Sequence, residues 1–274
     1  MKKILIAFSQ EERSEATLAF AAWINQHEPV LLTAFFLPHR VLSDFWTMPG
    51  VLADPVPVPV MEDPDPALFA RCRAHFEARC VAEGIAYRIH EDVDYPTESD
   101  LVRESRFADL MLVSGADYFD SIDLDTSWYN LNRALHEFEC PMLVLPPGFS
   151  FPESNIIAYD GSASSVHALK LFAYLLPELT RNRTLVVYAD KDPDHDIPDL
   201  SYLEELAARH YCDLTLTHLV VDDRNDLPAW IGEHPTAVLI CGAMGRGILS
   251  RLFRSSFAHR LIAGQRLPVF IAHR

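Results

Sequence analysis

Short, continuous apolar runs alternate along the chain with longer segments in which apolar residues recur at helical spacing. The runs occupy residues 4–8, 30–36, 110–113, 142–145, 156–159, 185–189, 238–241 and 269–272. Helical spacing is clearest around Phe20 and Phe172, and in residues 66–83 and 200–210. Because continuous apolar strands separated by helices are typical of parallel sheets covered on both faces, the pattern predicts an α/β fold of doubly wound, Rossmann-like parallel sheets.

The pattern occurs twice in the chain. Residues 6–8 correspond to residues 157–159 at an offset of 151, and residues 110–115 correspond to residues 237–242 at an offset of 127 that continues to the last residue. We therefore predict two copies of one domain, residues 1–148 and 153–274, of which the first is longer by 24 residues.

The extra length of the first copy falls in residues 38–66, which contain the sequences VPVP and DPDP. Proline cannot donate to a sheet and disfavours helix in the residue before it, so this segment is predicted to be an extended surface loop. It is either a lid or partner-binding arm, or simply an elaborated connection.

Composition narrows the class of protein. A hydrophobic content of 49% excludes a wholly disordered chain, and no stretch reaches the roughly 20 apolar residues that a membrane span needs. The N-terminal apolar run is too short for a secretory signal, so we expect a cytoplasmic protein. A net charge of −16 argues against nucleic-acid binding. The cysteines are scattered and form no CxxC pair, so we expect buried thiols rather than disulfides or a zinc site; they are Cys72, Cys80, Cys140, Cys212 and Cys241.

Charge is distributed unevenly between the copies. Residues 1–150 hold 24 acidic and 11 basic residues, and the remainder holds 15 acidic and 12 basic residues. Residues 242–274 contain no acid and six arginines, which are Arg246, Arg251, Arg254, Arg260, Arg266 and Arg274. This stretch either attracts a polyphosphate or forms a solvated basic face.

Ligands of open parallel sheets bind at the carboxyl ends of the strands, near the point where the strand order reverses. Asp160 follows the run at 156–159 and opens the sequence Asp160-Gly161-Ser162. A carboxylate at this position can accept a hydrogen bond from an adenine amine or a ribose hydroxyl. Alternatively, Asp160 or Ser162 caps the helix that follows.

A second candidate element follows the run at 238–241 and reads Gly242-x2-Gly245-x9-Ser255-Ser256. Glycine allows the backbone to approach a phosphate closely, and the N–H groups of a helix start together with a serine hydroxyl supply donors for an anion.

The first copy lacks these features. Ser9 replaces Asp160, Tyr118 replaces Gly245, and Trp128 and Tyr129 replace the two serines. Residues 115–147 also hold six acidic residues against one arginine, so this copy is expected to repel a phosphate.

No catalytic motif of the HExxH, GxSxG or GKS/GKT type occurs, so we expect no enzyme. Four polar residues cluster in one predicted loop, and they either bind a divalent cation or form a solvated connection: Asp192, Asp194, His195 and Asp196.

Three of these elements together resemble the universal stress protein family. They are residues 157–162, the Gly242-x2-Gly245-x9-Ser255-Ser256 element, and the closing run Pro268-Val269-Phe270-Ile271. The ATP-binding subgroup of that family carries G-x2-G-x9-G followed by Ser or Thr, and Ser255 stands at the third glycine here. The resemblance covers the chain as two copies, as in tandem members of the family.

The resemblance implies a set of contacts to an adenine nucleotide. The acid after the first strand contacts adenine, the end of the second strand adds a backbone contact, and the glycine and hydroxyl element holds ribose and phosphates. The implied residues are Asp160, Ala189, Gly242, Gly245, Ser255, Ser256 and Phe257. The ligand implied is ATP or AMP, with Mg²⁺ as an optional companion and no covalently bound cofactor.

Two leading hypotheses follow, and a third, a true enzyme of the wider nucleotide-binding α/β group, lacks a visible base and nucleophile. In the first, a cytoplasmic stress-response protein binds ATP, ADP or AMP in its C-terminal domain and acts as a sensor or regulator, with slow hydrolysis at most. In the second, Ser255 marks a decayed site and the protein is a scaffold whose segment 38–66 binds a partner. The family resemblance further implies that residues 142–145 and 269–272 join the halves into an internal pseudo-dimer, and it leaves a homodimer of the whole chain open.

Overall fold

The computed structural model describes residues 1–8, 11–36, 66–90, 98–115, 137–221, 226–242 and 267–272. The strands are β1 (Lys2–Phe8), β2 (Val30–Phe36), β3 (Ala86–Ile89), β4 (Leu110–Ser114), β5 (Met142–Leu145), β6 (Ser154–Tyr159), β7 (Arg183–Asp190), β8 (Asp213–Val220), β9 (Ala237–Gly242) and β10 (Val269–Ala272). The helices are α1 (Glu11–His27), α2 (Pro66–Ala82), α3 (Glu98–Ser105), α4 (Ala163–Leu175), α5 (Leu200–His210) and α6 (Asp226–Gly232), and a 3₁₀ turn covers Pro177–Arg181.

These ten strands form one sheet in the order β3-β2-β1-β4-β5-β10-β9-β6-β7-β8. Neighbouring strands within β1–β5 and within β6–β10 are parallel. The two sets meet at β5 and β10, which pair antiparallel with Phe270 opposite Leu143. The doubly wound α/β fold predicted from the sequence is confirmed, and the strand order of each half reverses between its first and fourth strands.

Two apolar layers sandwich the sheet. In β1, Ile4 and Ile6 pack in one layer with Leu18 of α1, and Leu5 and Ala7 belong to the opposite layer. All four β1 side chains are at most 3% exposed. The central strands read as continuous apolar runs because both of their faces are buried.

The search for continuous apolar runs missed the two edge strands. β8 reads Asp-Leu-Thr-Leu-Thr-His-Leu-Val and is only partly buried, and three of the four residues of β3 are exposed. An edge strand of this sheet pairs on one side only and is less completely buried than a central strand, so polar residues are tolerated in it and no continuous apolar run forms.

Residues 146–153 connect the halves and contact both of them. Phe151 stacks on Phe20 of α1 with ring centroids 5.9 Å apart, and Phe149 lies 5.9 Å from the same ring. On the other side, Asn182 Nδ2 donates to the Pro152 carbonyl at 2.8 Å. This connection therefore contacts each half at a few points, through Phe149, Phe151 and Pro152, while five of its eight residues are exposed.

Four of the cysteines are buried, as predicted, and Cys212 is exposed, so for that residue the prediction was wrong; all five are free thiols. Cys212 directly precedes the edge strand β8, which is only partly buried.

Of the proline-rich segment at 38–66, the structure describes only Pro66. It is the first residue of α2, where a missing N–H costs no helical hydrogen bond.

Within the described ranges, no helix combines the length and the apolar character that crossing a membrane requires.

Candidate functional site

Three neighbouring strands end at the same edge of the second half and bring three predicted site residues together. Asp160 directly follows β6, Ala189 is the last residue but one of β7, and Gly242 is the last residue of β9. Tyr159 pairs with Tyr188 across β6 and β7, and Ile157 pairs with Ile240 across β6 and β9. Since β6 and β9 flank the reversal of strand order, these residues surround the position where a doubly wound sheet binds its ligands.

The turn after β6 fixes the position of the Asp160 carboxylate. Gly161 has a φ of +75°, which favours glycine. The Ser162 N–H donates to Asp160 Oδ1 at 3.0 Å. Ser162 Oγ in turn accepts from the Ser165 N–H at 3.1 Å and caps α4. Of the two residues proposed as caps, Ser162 is therefore the cap, and Asp160 shapes the turn at the mouth of the site.

Gly242 lies against the first turn of α4. A Cβ atom on Gly242 would lie 2.5 Å from the backbone carbon of Ser164 and 2.7 Å from the backbone nitrogen of Ser165. The sequence suggested that this glycine makes room for a phosphate, and the structure adds a reason that needs no ligand. Gly115, its counterpart in the first half, is also buried.

The buried thiol of Cys241, one residue before the end of β9, is influenced by the charge of Asp160. Burial raises the pKa of the Cys241 thiol, and the charge of Asp160 raises it further. The Cys241 Sγ donates to the Phe270 carbonyl at 3.5 Å. This thiol is therefore protonated and unreactive, and the negative charge of Asp160 acts on a side chain at the end of β9.

Ala189 is 6% exposed and pairs with Leu219 of β8. Its small side chain is packed in the sheet layer, so what it can offer a ligand is its backbone.

The remaining predicted site residues, Gly245, Ser255, Ser256 and Phe257, lie outside the described residues, and their roles remain predictions. The same holds for the arginines at 246–266.

A polar loop follows β7 and is organised by its own hydrogen bonds. Asp190 Oδ1 accepts from the Asp192 N–H at 2.8 Å and lies 3.2 Å from His195 Nδ1. Asp192 Oδ1 accepts from the Asp194 N–H at 3.0 Å. Within the part of the chain that the structure describes, which includes this whole loop, no group of three or more His, Cys, Asp or Glu side chains is arranged to hold a metal ion.

We expect the pKa of Asp190 to lie below its usual 3.8, chiefly because the Asp192 N–H bonds the carboxylate and secondarily because His195 is nearby. The stability that this carboxylate contributes is complete above about pH 3.8 and is lost as the pH falls through its folded-state pKa. Carboxyl ¹³C NMR titration measures the value. His195→Ala should raise it only in part, since the Asp192 N–H remains; a return to 3.8 in this variant would contradict the assignment.

Sequence reasoning missed the contact between the site and residues 198–199. The Tyr159 hydroxyl donates to the Pro198 carbonyl at 2.9 Å, and a Cβ on Gly161 would lie 2.9 Å from Pro198 Cβ. Burial, followed by the charges of Asp199 and Asp160, raises the pKa of Tyr159. The loop after β7 therefore lies over the turn that carries Asp160, and no local sequence signal marks this long-range contact.

Comparison with known proteins found matches among solved structures. No protein-family model matches the chain, and no curated protein sequence matches it. A solved universal stress protein from Archaeoglobus fulgidus DSM 4304 superposes on 98% of this chain and 96% of its own, with a TM-score of 0.64 and 15% sequence identity.

Two further solved structures align with less than half of the chain. A universal stress protein in complex with cAMP is 18% identical over 45% of this chain and 98% of its own, with a TM-score of 0.34. A member of the universal stress protein family from Burkholderia pseudomallei is 22% identical over 44% and 95%, with a TM-score of 0.27. From the Archaeoglobus match, which spans both halves, this chain has the fold of a universal stress protein along nearly its whole length.

Proposed function

We propose that the chain is a tandem universal stress protein that binds one adenine nucleotide, ATP, ADP or AMP, in its C-terminal domain at residues 153–274. It acts in the cytoplasm as a sensor or regulator rather than as an enzyme. The observation that carries this proposal is the meeting of Asp160, Ala189 and Gly242 at the carboxyl ends of three adjacent parallel strands.

The chemistry of these three positions suits an adenine nucleoside. The Asp160 carboxylate accepts from the Ser162 N–H, and since a carboxylate can accept several hydrogen bonds, it suits an adenine amine or a ribose hydroxyl. The backbone at Ala189 offers polar groups beside a flat base. The predicted phosphate contacts come from Gly245, Ser255, Ser256 and Phe257, with the arginine-rich, acid-free stretch supplying positive charge, and Mg²⁺ would accompany a triphosphate.

The N-terminal domain at residues 1–148 is proposed to be a degenerate copy that keeps the fold without the ligand. Its Ser9 offers no carboxylate at the position of Asp160, and its bulky Tyr118 stands where the second half has Gly245. The antiparallel pairing of β5 with β10 supports an internal pseudo-dimer. A homodimer of the whole chain is not needed to complete this arrangement.

Isothermal titration of the full chain with ATP tests the proposal. We expect one site per chain, with affinity lowered roughly 10-fold or more by Asp160→Ala, because a hydrogen bond to a charged group contributes about 1.5–3 kcal/mol. Gly245→Tyr, which copies the first half, should abolish binding.

The matched control is Asp213→Ala, which removes an exposed carboxylate at the opposite, amino-terminal end of β8 and should leave binding unchanged. Two sites per chain would show that the first copy is not degenerate. Absence of binding would favour the scaffold hypothesis, in which Ser255 marks a decayed site.

A further inference from the structure

A groove of about 640 Å³ runs between α4 and α5 on the flank of the second half. It begins beside Gly161 and Ser162 at the start of α4 and continues to Lys170. From Ser162 to Lys170 a helix rises about 12 Å. The groove is therefore about 12 Å long, and this length suits two linked rings rather than a single small ion.

The middle of the groove is lined by aliphatic and aromatic side chains, with His167 beside them. Val166 of α4 and Leu203 and Leu206 of α5 line it, and Leu203 is only 3% exposed. The Tyr202 side chain lines the same groove yet is 74% exposed. An uncovered aromatic face beside buried aliphatic side chains is a surface on which another ring packs favourably.

The two ends carry opposite charges. Lys170 lies at one end, and no carboxylate among the described residues forms an ion pair with it. Asp199 lies at the other end with a φ of +52°, a left-handed conformation that few residues other than glycine adopt. Although Asp199 occupies the N-cap position of α5, its side chain accepts no capping hydrogen bond.

We propose that this groove binds an aryl carboxylate that carries a hydroxyl or amine at its far end. The carboxylate pairs with Lys170, the rings lie against Tyr202 and Leu206, and the distal donor bonds the Asp199 carboxylate. The groove adjoins the strand-end site at Tyr159, Gly161 and Ser162, but Asp160, Ala189 and Gly242 do not line it. This inference is independent of the proposed nucleotide binding.

The probe is 4′-hydroxybiphenyl-4-carboxylate, titrated into the full chain and followed by two-dimensional amide NMR. We expect saturable shifts at residues of α4 and α5. Lys170→Gln should weaken binding about fivefold, as expected for a half-exposed ion pair, while binding of the neutral 4′-hydroxybiphenyl-4-carboxamide stays the same. Tyr202→Ala should weaken both probes by roughly three- to tenfold.

The matched control for the charge is Arg209→Gln, an exposed cation of α5 that does not line the groove. It should change neither affinity. The proposal is overturned if no saturable shift occurs up to the solubility limit, or if Lys170→Gln affects both probes equally. Displacement of the probe by ATP would also overturn it, because the groove would then be part of the nucleotide site.

Discussion

Gly242→Ala is expected to lower the free energy of unfolding of the chain by about 3 kcal/mol, the upper part of the range for overpacking a well-packed site. The added Cβ would come within 2.7 Å of three backbone atoms in the first turn of α4. Backbone cannot rotate away as the end of a side chain can, so either β9 or α4 must shift. Urea unfolding of the full chain, followed by circular dichroism, measures the loss.

The matched control is Gly84→Ala. Gly84 has a φ of +62°, and a methyl group added there would have no neighbouring atom within 4 Å, so this change adds only backbone strain, about 1–2 kcal/mol. If Gly242→Ala costs no more than Gly84→Ala, close packing against α4 is not what requires a glycine at this position. The ATP titration of the Gly242 variant then reports any separate role in binding.

Phe270→Ala is expected to cost about 3–5 kcal/mol, the usual range for removing a fully buried phenylalanine. Phe270 is fully buried in β10, where it lies opposite Leu143 of β5 and meets the Phe172 ring edge-on at 5.3 Å. The cavity would therefore open at the junction of the two halves. Thermal and urea unfolding of the full chain provide the measurement.

Phe107→Ala is the control, because this ring is 64% exposed and its loss should change stability little. Since β5 and β10 join the halves into one sheet, we expect a single unfolding transition that shifts as a whole in the Phe270 variant. Two transitions, of which only one shifts, would show that the strand pair does not couple the halves.

The central strands were predictable from the sequence because burial on both faces favours apolar residues at consecutive positions. The runs that became β1, β2, β7 and β9 are apolar at nearly every position for that reason. The edge strands lack a continuous apolar run. β8 alternates leucine with threonine and histidine, and its pairing with β7 joins residues far apart in the chain. A search for alternation as well as for continuous runs would have found it.

The candidate site was predictable only in part. The position of Asp160 after a strand follows from local sequence, and the choice between the two capping residues depended on hydrogen-bond geometry. The contact of Gly242 with Ser164 joins residues far apart in the chain. The sequence therefore could not show that packing against α4 requires a glycine at this position. The cover of the Asp160 turn by Pro198 is likewise tertiary.

The antiparallel pairing of β5 with β10 has a consequence for how the two halves stay together. In a dimer of separate chains, such a strand pair dissociates on dilution, whereas here the connection at residues 146–153 tethers the partners and gives them an effective concentration in the millimolar range. The junction should therefore persist at any protein level in solution. Because of that tether, the first half remains paired with β10 whether or not it binds a ligand itself.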